Sequence, residues 1–412
     1  MVGLLGIGLI IALSWALSEN REKFRPRMVG IALASQFALA ILFLKVPAAR
    51  IIVSSLNGVV NALKEATDFG AQFIFGYLAG AAPPFEVVNQ DANFVIAFGV
   101  LPIVLTLNAF VSVLYHFGVI QKLVQILSKA LQQILPLEGS AALGVAASIF
   151  LGIIEAPIFV KHYLPSMSRS SLFTLLTAAM STIAGTLMVL YATVLNGVIP
   201  DAAGQLIVAS LISAPAAVMI AQILVPPGHE EAQEEEPLPE RTTVSALQAL
   251  MQGATEGISM VIAITGILIV VFATVRFLDM GLALLPSPWS HPISLEFLFQ
   301  CLFAPICWLI GIPSTEMWEA ARILSVKTVT NEFVAYLEMS KVTSWSAQTK
   351  IILTYACCGV ANFGSLGILF GGLGQIIPKR QAELASLGWK ALFAGTITTL
   401  MTGAVAGLVS LL

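Results

Sequence analysis

Charge is what this chain of 412 residues has least of: Asp, Glu, Lys and Arg make up 10% of it, where soluble domains carry about 25%. A water-soluble globular class is excluded on that ground. The net charge of −3 supplies no basic surface, so no nucleic-acid partner is expected. Cysteine is nearly as scarce. Cys301, Cys307, Cys357 and Cys358 lie in apolar surroundings without a CxxC or a paired histidine, which argues against a disulfide framework or a zinc site and leaves buried packing as their expected role. His116, His162 and His291 fall at or near expected span ends with no metal spacing between them, where snorkelling is the ordinary reading. Catalytic signatures are missing too. There is no HExxH pair, no GxSx nucleophile with an available histidine and no GxxxxGK[ST] phosphate loop, so neither an enzyme nor an ATP-driven pump is expected. No basic stretch precedes the first apolar run, so MVGLLGIGLIIALSWAL reads as a retained helix rather than a signal peptide.

What is present is apolar residue in long runs: 58% of the chain is hydrophobic and its mean hydropathy is +0.91. About 20 apolar residues cross a bilayer as a helix. That rule predicts eight spans, near 2–18, 28–46, 93–117, 171–198, 203–226, 254–277, 351–377 and 389–411. Residues 119–136 carry Lys and Gln at helical spacing and suit an interfacial amphipathic helix. The stretches 138–168 and about 296–346 are interrupted near their middles by Glu, Pro, Asn and Gly, and read as re-entrant hairpins. Arg21, Lys23, Arg25 and Arg27 mark the loop 18–27 as cytoplasmic. Counting from it puts Lys122, Lys129, Lys161, Arg169, Lys379, Arg380 and Lys390 on the same side, with Lys341 and Lys350 opposite.

The acidic, proline-bearing stretch PPGHEEAQEEEPLPERTT (226–243) reads as a solvated linker, its carboxylates and His229 included. On either side of it the order of segments is the same: a span, an amphipathic or shorter helix, a broken hairpin and two further spans. The predicted organisation is therefore N-terminal helices and a peripheral segment over 1–92, a first repeat over 93–226, the linker over 227–243 and a second repeat over 244–412. By the span count the repeats are inverted. The fold class is an all-α integral membrane protein of eight transmembrane helices plus two re-entrant hairpins in inverted repeats, the plan of many secondary transporters.

Each hairpin holds a carboxylate, Glu155 in GIIEAP and Glu332 in NEFVAY. A carboxylate at a helix centre costs about 2.5–3.5 kcal/mol on insertion scales, so both should face a cavity or a partner. They could bind the hydroxyl or amine donors of a polar solute, while carbonyls freed at helix breaks suit Na⁺; or they could simply hold helix ends together. STIAGT (181–186) and ANFGS (361–365) permit a helix break, or else tight helix packing. In GIPSTE (311–316) Ser314 or Thr315 is expected to cap the helix that follows.

GIIEAP, NEFVAY and ANFGSLGI (361–368) resemble the concentrative nucleoside transporter family over nearly the whole length of the chain. The resemblance implies a bacterial plasma-membrane homotrimer in contact with lipid, importing nucleosides by an elevator-like movement driven by Na⁺ or H⁺. It implies ribose binding by Glu155 and Glu332 with Asn362 and Ser365, and Leu187 and Val360 beside the base. It implies a Na⁺ site at the carbonyls of Ser148, Leu151, Thr182 and Ile183 plus the Thr182 hydroxyl. One departure stands in the substrate hairpin itself, Gly152 to Glu155: Ile153 and Ile154 occupy the places of the family's Gln and Thr, which hydrogen-bond the base. A transporter of another small polar solute on the same fold, or a channel-like pore, is the alternative; acidic hairpins in inverted repeats favour alternating access over a pore.

Overall fold

The computed structural model describes residues 2–88, 95–228, 243–287 and 292–412, and every regular element in them is helical. His229, His291 and the acidic stretch 229–242 lie outside the described residues. The chain opens with α1 (Val2–Ala16), α2 (Pro26–Lys45) and α3 (Pro47–Phe75). Next, α4 (Ile96–Gly99) leads into α5 (Pro102–His116), α6 (Val119–Ile134) and a hairpin of α7 (Gly139–Ser148) and α8 (Glu155–Phe159). A broken helix, α9 (Arg169–Ser181) and α10 (Gly185–Leu195), precedes α11 (Ala202–Leu224). The second half repeats the order: α12 (Ala246–Leu282), α13 (Leu295–Leu309), a hairpin of α14 (Met317–Val329) and α15 (Glu332–Ser340), a broken helix of α16 (Ala347–Ala356) and α17 (Phe363–Ile376), and α18 (Gln381–Ser410).

Local chemistry sets many of these starts. Proline opens α2, α3 and α5, where its missing N–H costs no hydrogen bond. Ser168, Ser294, Asn331, Ser346 and Asn362 each cap the helix that follows by accepting a backbone N–H. The expected cap at Ser314 or Thr315 is not formed. Glu316 is the N-cap residue of α14 and makes no side-chain cap bond; its carboxylate accepts instead from Ser346 N at 3.0 Å and Ser346 Oγ at 2.9 Å, which ties the start of α14 to that of α16.

Among the described residues six stretches are long and apolar enough to cross a membrane: Pro26–Lys45, Ile96–His116, Arg169–Leu195, Ala202–Leu224, Ala246–Leu282 and Pro378–Ser410. The other two expected spans take different forms. α1 has only 15 residues, and 351–377 is divided between α16 and α17. The segment read as peripheral contains the 29-residue α3, whose Arg50, Asn57, Lys64, Glu65 and Asp68 interrupt its apolar residues and mask it from a hydropathy count. Cys307, Cys357 and Cys358 are buried as expected, but Cys301 is exposed. It falls off the inward stripe of α13, formed by Gln300, Phe303, Ala304 and Cys307.

Packing repeats with the order. α6 packs on α7 as α13 does on α14, α9 on α11 as α16 does on α18, and the halves join through α5 with α12 and α11 with α18. α11 and α18 are buried along most of their length, whereas α12 buries only Ala249, Gly253 and Gly257. Those glycines let two backbones touch: a Cβ at Gly253 would lie 2.4 Å from Asn108 O, and one at Gly257 2.8 Å from Leu105 Cα.

Among the described residues two networks join three or more charged groups, beside the single pair Lys64–Asp68 of α3. Glu19 pairs with Arg169 at 2.9 Å and Lys390 at 2.5 Å, joining the first loop to the start of α9 and to the third turn of α18, three segments read as sharing a side. The bond from Arg169, helped by Lys390, holds the Glu19 carboxyl at about 2, against an ordinary value of 4.5. Elsewhere Glu338 pairs with Arg322 at 3.2 Å and Lys341 at 2.6 Å.

Candidate functional site

The break between α16 and α17 organises one half of the site. Cys357 follows the end of α16, the backbone runs unwound through Gly359 and Val360, and Asn362 starts α17. Asn362 uses its whole amide: Oδ1 accepts from Ser365 N at 2.9 Å, while Nδ2 donates to Val360 O at 3.1 Å and to Glu332 Oε2 at 2.9 Å. The Ser365 hydroxyl donates to Val360 O. Glu332, at the start of α15, is buried, and its Oε1 accepts from Tyr191 Oη of α10 at 2.7 Å. Four expected substrate residues, Glu332, Val360, Asn362 and Ser365, thus share one network. Glu332 does join helix ends, yet two donors leave a carboxylate with lone pairs to spare, able to accept from the hydroxyls of a solute.

The first half offers oxygen of another kind. α7 stops at Ser148 and α9 at Ser181, and Thr182 is extended. Thr182 Oγ1 lies 2.6 Å from Ser148 O and 2.9 Å from Ala178 O. Ile183 N donates to Ser210 Oγ of α11 at 3.4 Å, and Gly185 N to Phe150 O at 2.8 Å. Among the described residues no backbone N–H bonds to the carbonyls of Ser148, Leu151, Thr182 or Ile183. A hydroxyl carries one proton and two lone pairs, so these neutral oxygens fit a small hard cation. Among the described residues no three His, Cys, Asp or Glu side chains cluster as metal ligands.

Hairpin tip Gly152–Glu155 differs from the second hairpin in detail. Glu155 is exposed rather than buried, and the N–H groups of Gly152, Ile154 and Glu155 face its carboxylate. A Cβ at Gly152 would stand 2.2 Å from Glu155 Oε2 and 3.2 Å from Ala184 Cβ, so the glycine lets the carboxylate fold back and lets the tip meet the α9/α10 break. Among the described residues no hydrogen bond joins Glu155 to Glu332, and the Glu256 carboxylate of α12 acts on Glu155 electrostatically. Ile153 is buried in the core, Ile154 leans on Gly372 of α17 at 3.3 Å from a Cβ built there, and Leu187 packs half-buried on α10.

The two breaks touch each other. A Cβ at Gly359 would come within 3.0 Å of Met180 O, at the end of α9, and 2.6 Å of Thr399 Cγ2 on α18. Sequence reasoning did not single out two polar groups at this crossing. Tyr191 holds Glu332, and the buried Lys327 donates to Ala356 O and Thr399 Oγ1, both at 2.9 Å. The signal was available: a lysine in ILSVKTV (323–329) carries the same membrane cost that draws attention to Glu155.

Two re-entrant hairpins facing two broken helices, with polar groups gathered at the breaks, define a secondary transporter. Family models described as Na⁺ dependent nucleoside transporter N-terminus, nucleoside recognition, and Na⁺ dependent nucleoside transporter C-terminus match residues 5–78, 97–198 and 205–407. An uncharacterized transporter of Haemophilus influenzae is 34% identical over 98% of this chain and 96% of its own length. The putative nucleoside permease NupX of Escherichia coli K12 is 31% identical over 99% of this chain and 98% of its own. The solved structure of CNTnw in an inward-facing substrate-bound state is similar at a TM-score of 0.90 and 32% identity, covering 100% of this chain and 98% of that one. The chain belongs to the Na⁺-dependent, concentrative nucleoside transporter family, and is a multi-pass membrane transporter rather than an enzyme.

Proposed function

We propose that this protein imports nucleosides across a bacterial plasma membrane, driven by a Na⁺ gradient. The observation that carries the reading is Glu332, a carboxylate held on both oxygens by Tyr191 and Asn362 beside an unwound backbone. Ribose hydroxyls donate to Glu332 and to Glu155, whose open position lets it approach a solute from the other hairpin. Asn362 and Ser365 complete the ribose side, with Val360, Leu187 and the hairpin residues Gly152, Ile153 and Ile154 toward the base. Ile153 and Ile154 offer no hydrogen bond, so base discrimination is weak.

Na⁺ takes the carbonyls of Ser148, Leu151, Thr182 and Ile183 with the Thr182 hydroxyl. Na⁺ is favoured over H⁺ because none of these oxygens titrates in the physiological range. Residues 93–226 and 244–412 act as inverted repeats joined by the linker 227–243, after the helices of 1–92. Alternating access follows from an elevator-like movement of the hairpins and broken helices against the α5–α12 pair. The exposed apolar faces of α12 (Ile258, Ile262, Ile269) and α3 (Phe69, Phe73) meet lipid and the neighbouring copies of a homotrimer.

Uptake of radiolabelled uridine into proteoliposomes is the test. An inward Na⁺ gradient should drive saturable accumulation that is halted when K⁺ replaces Na⁺. Accumulation that follows a pH gradient and ignores Na⁺ would overturn the ion assignment, and non-saturable flux would overturn the carrier.

A further inference from the structure

Aligning the hairpin glutamates Glu155 and Glu332 pairs Ser148 with Ser325 and Phe150 with Lys327. The two hairpins then differ in one respect. α7 ends at Ser148, whereas α14 continues past the matching Ser325 to Val329. Among the described residues no backbone N–H reaches Ser148 O, which Thr182 Oγ1 meets instead, whereas Ser325 lies inside the longer helix, which carries Lys327 on its added turn. The Lys327 ammonium, buried, donates to the carbonyl of Ala356, the last residue of α16, and to Thr399 Oγ1 of α18.

The partners correspond as well. α7, α9 and α11 meet in the first half as α14, α16 and α18 meet in the second. At the first meeting point the end of α9 brings Thr182 to Ser148 O, and Ser210 of α11 anchors Ile183 N. At the second, a carbonyl from the end of α16 and a hydroxyl from α18 again converge, and a positive charge is already on them. The negative end of a helix dipole favours a cation at both places. Lys327 is also the positive charge that acts on the Glu332 carboxylate.

We infer that Lys327 is a tethered cation of the second repeat, standing where its counterpart in the first repeat takes a mobile ion. It is a positioning residue. By holding the end of α16 it fixes the unwound segment that presents Asn362 to Glu332, and by filling the second meeting point it confines mobile-ion binding to the first. The correspondence rests on the reading of Ser148, Leu151, Thr182 and Ile183 as the ion site.

The experiment is uridine binding to the purified full-length transporter, titrated with Na⁺ and separately with methylammonium, in wild type and in Lys327→Ala, Lys327→Met and Lys327→Arg. Methionine fills the space without charge and should weaken binding about tenfold at every cation concentration. Alanine opens the space; binding should be lost at low cation and regained with methylammonium or high Na⁺, the Na⁺ Hill coefficient rising from about one toward two. Arginine should stay within about threefold of wild type, its charge being kept. Equal impairment of the alanine and methionine variants with no response to either cation overturns the proposal, as does wild-type binding in both. Should the alanine variant not fold, Thr399→Val keeps the lysine but removes one of its partners, and should weaken uridine binding about threefold or more; unaltered binding there overturns the proposal. Wild type that binds uridine independently of Na⁺ would remove the first-repeat ion site instead, while the response of the alanine variant to methylammonium still decides the role of Lys327.

Discussion

Replacing Asn362 with aspartate separates two jobs that one amide performs. As a helix cap, Asn362 offers Oδ1 to Ser365 N; as a support for Glu332, it donates Nδ2 at 2.9 Å. Aspartate keeps the cap acceptor and turns the donor into a second carboxylate oxygen facing Glu332 Oε2. Losing a hydrogen bond to a charged group costs about 1.5–3 kcal/mol, before any repulsion is added. If Glu332 binds the substrate, that displacement should weaken uridine binding about tenfold to a hundredfold, at about 1.4 kcal/mol per decade. Asn362→Ala loses the donor and also the cap, worth about 1 kcal/mol, so it should bind as poorly and unfold more easily. Calorimetric titration of purified protein with uridine, together with thermal unfolding of each variant, reads both quantities. Uridine affinity unaltered in the aspartate variant would refute the role given to this network, and equal affinities in wild type and alanine would refute it more directly.

Gly152→Ala should lower uridine uptake about tenfold with little loss of stability, because the new Cβ would stand 2.2 Å from Glu155 Oε2, a flexible side-chain end that swings away; normal uptake would mean that Glu155 does not act from this position. Thr182→Val should raise the Na⁺ concentration for half-maximal uptake about tenfold, since it removes the oxygen 2.6 Å from Ser148 O; an unchanged Na⁺ response would move the ion elsewhere. Ile153→Gln with Ile154→Thr should create discrimination between uridine and adenosine in competition assays; strong selectivity already in wild type and unaffected by the pair would show that these side chains do not face the base. Glu19 titrates at about 2 instead of 4.5, so its pairs with Arg169 and Lys390 stabilise the fold above pH 4.5 and are lost as pH falls toward 2. The melting temperature of Glu19→Gln should therefore drop less than that of wild type across that interval, and parallel curves would refute the assignment.

Glu155 and Glu332 stand out in the sequence because a carboxylate in an apolar run is costly in a membrane, and Thr182 and Asn362 stand out through the family resemblance; the structure joins Asn362 to Glu332 and Thr182 to Ser148 O. The hairpins and the matched order of the halves were legible for the same reason. Other features depend on partners remote in sequence. The break in 351–377 lies where Gly359 meets Met180 O, a contact between two spans that hydropathy treats as unrelated. α3 escaped because its polar residues dilute the apolar ones evenly along the chain although they separate on the helix surface. The cap expected at Ser314 or Thr315 gave way to Glu316, which bonds Ser346. Tyr191 looks like packing until its hydroxyl is found on Glu332.

α12 has 37 residues, and a helix of that length is about 55 Å long at about 1.5 Å per residue. A bilayer, headgroups included, spans about 40–45 Å. An upright α12 would stand out of it, so the helix either leans by about 35–43° or leaves an end in water. A leaning rod accommodates a thicker or thinner membrane by altering its slope. Because α12 packs on the rest of the chain mainly along the α5 seam at Ala249, Gly253 and Gly257, such an adjustment would fall at the periphery rather than on the buried helices around Glu332.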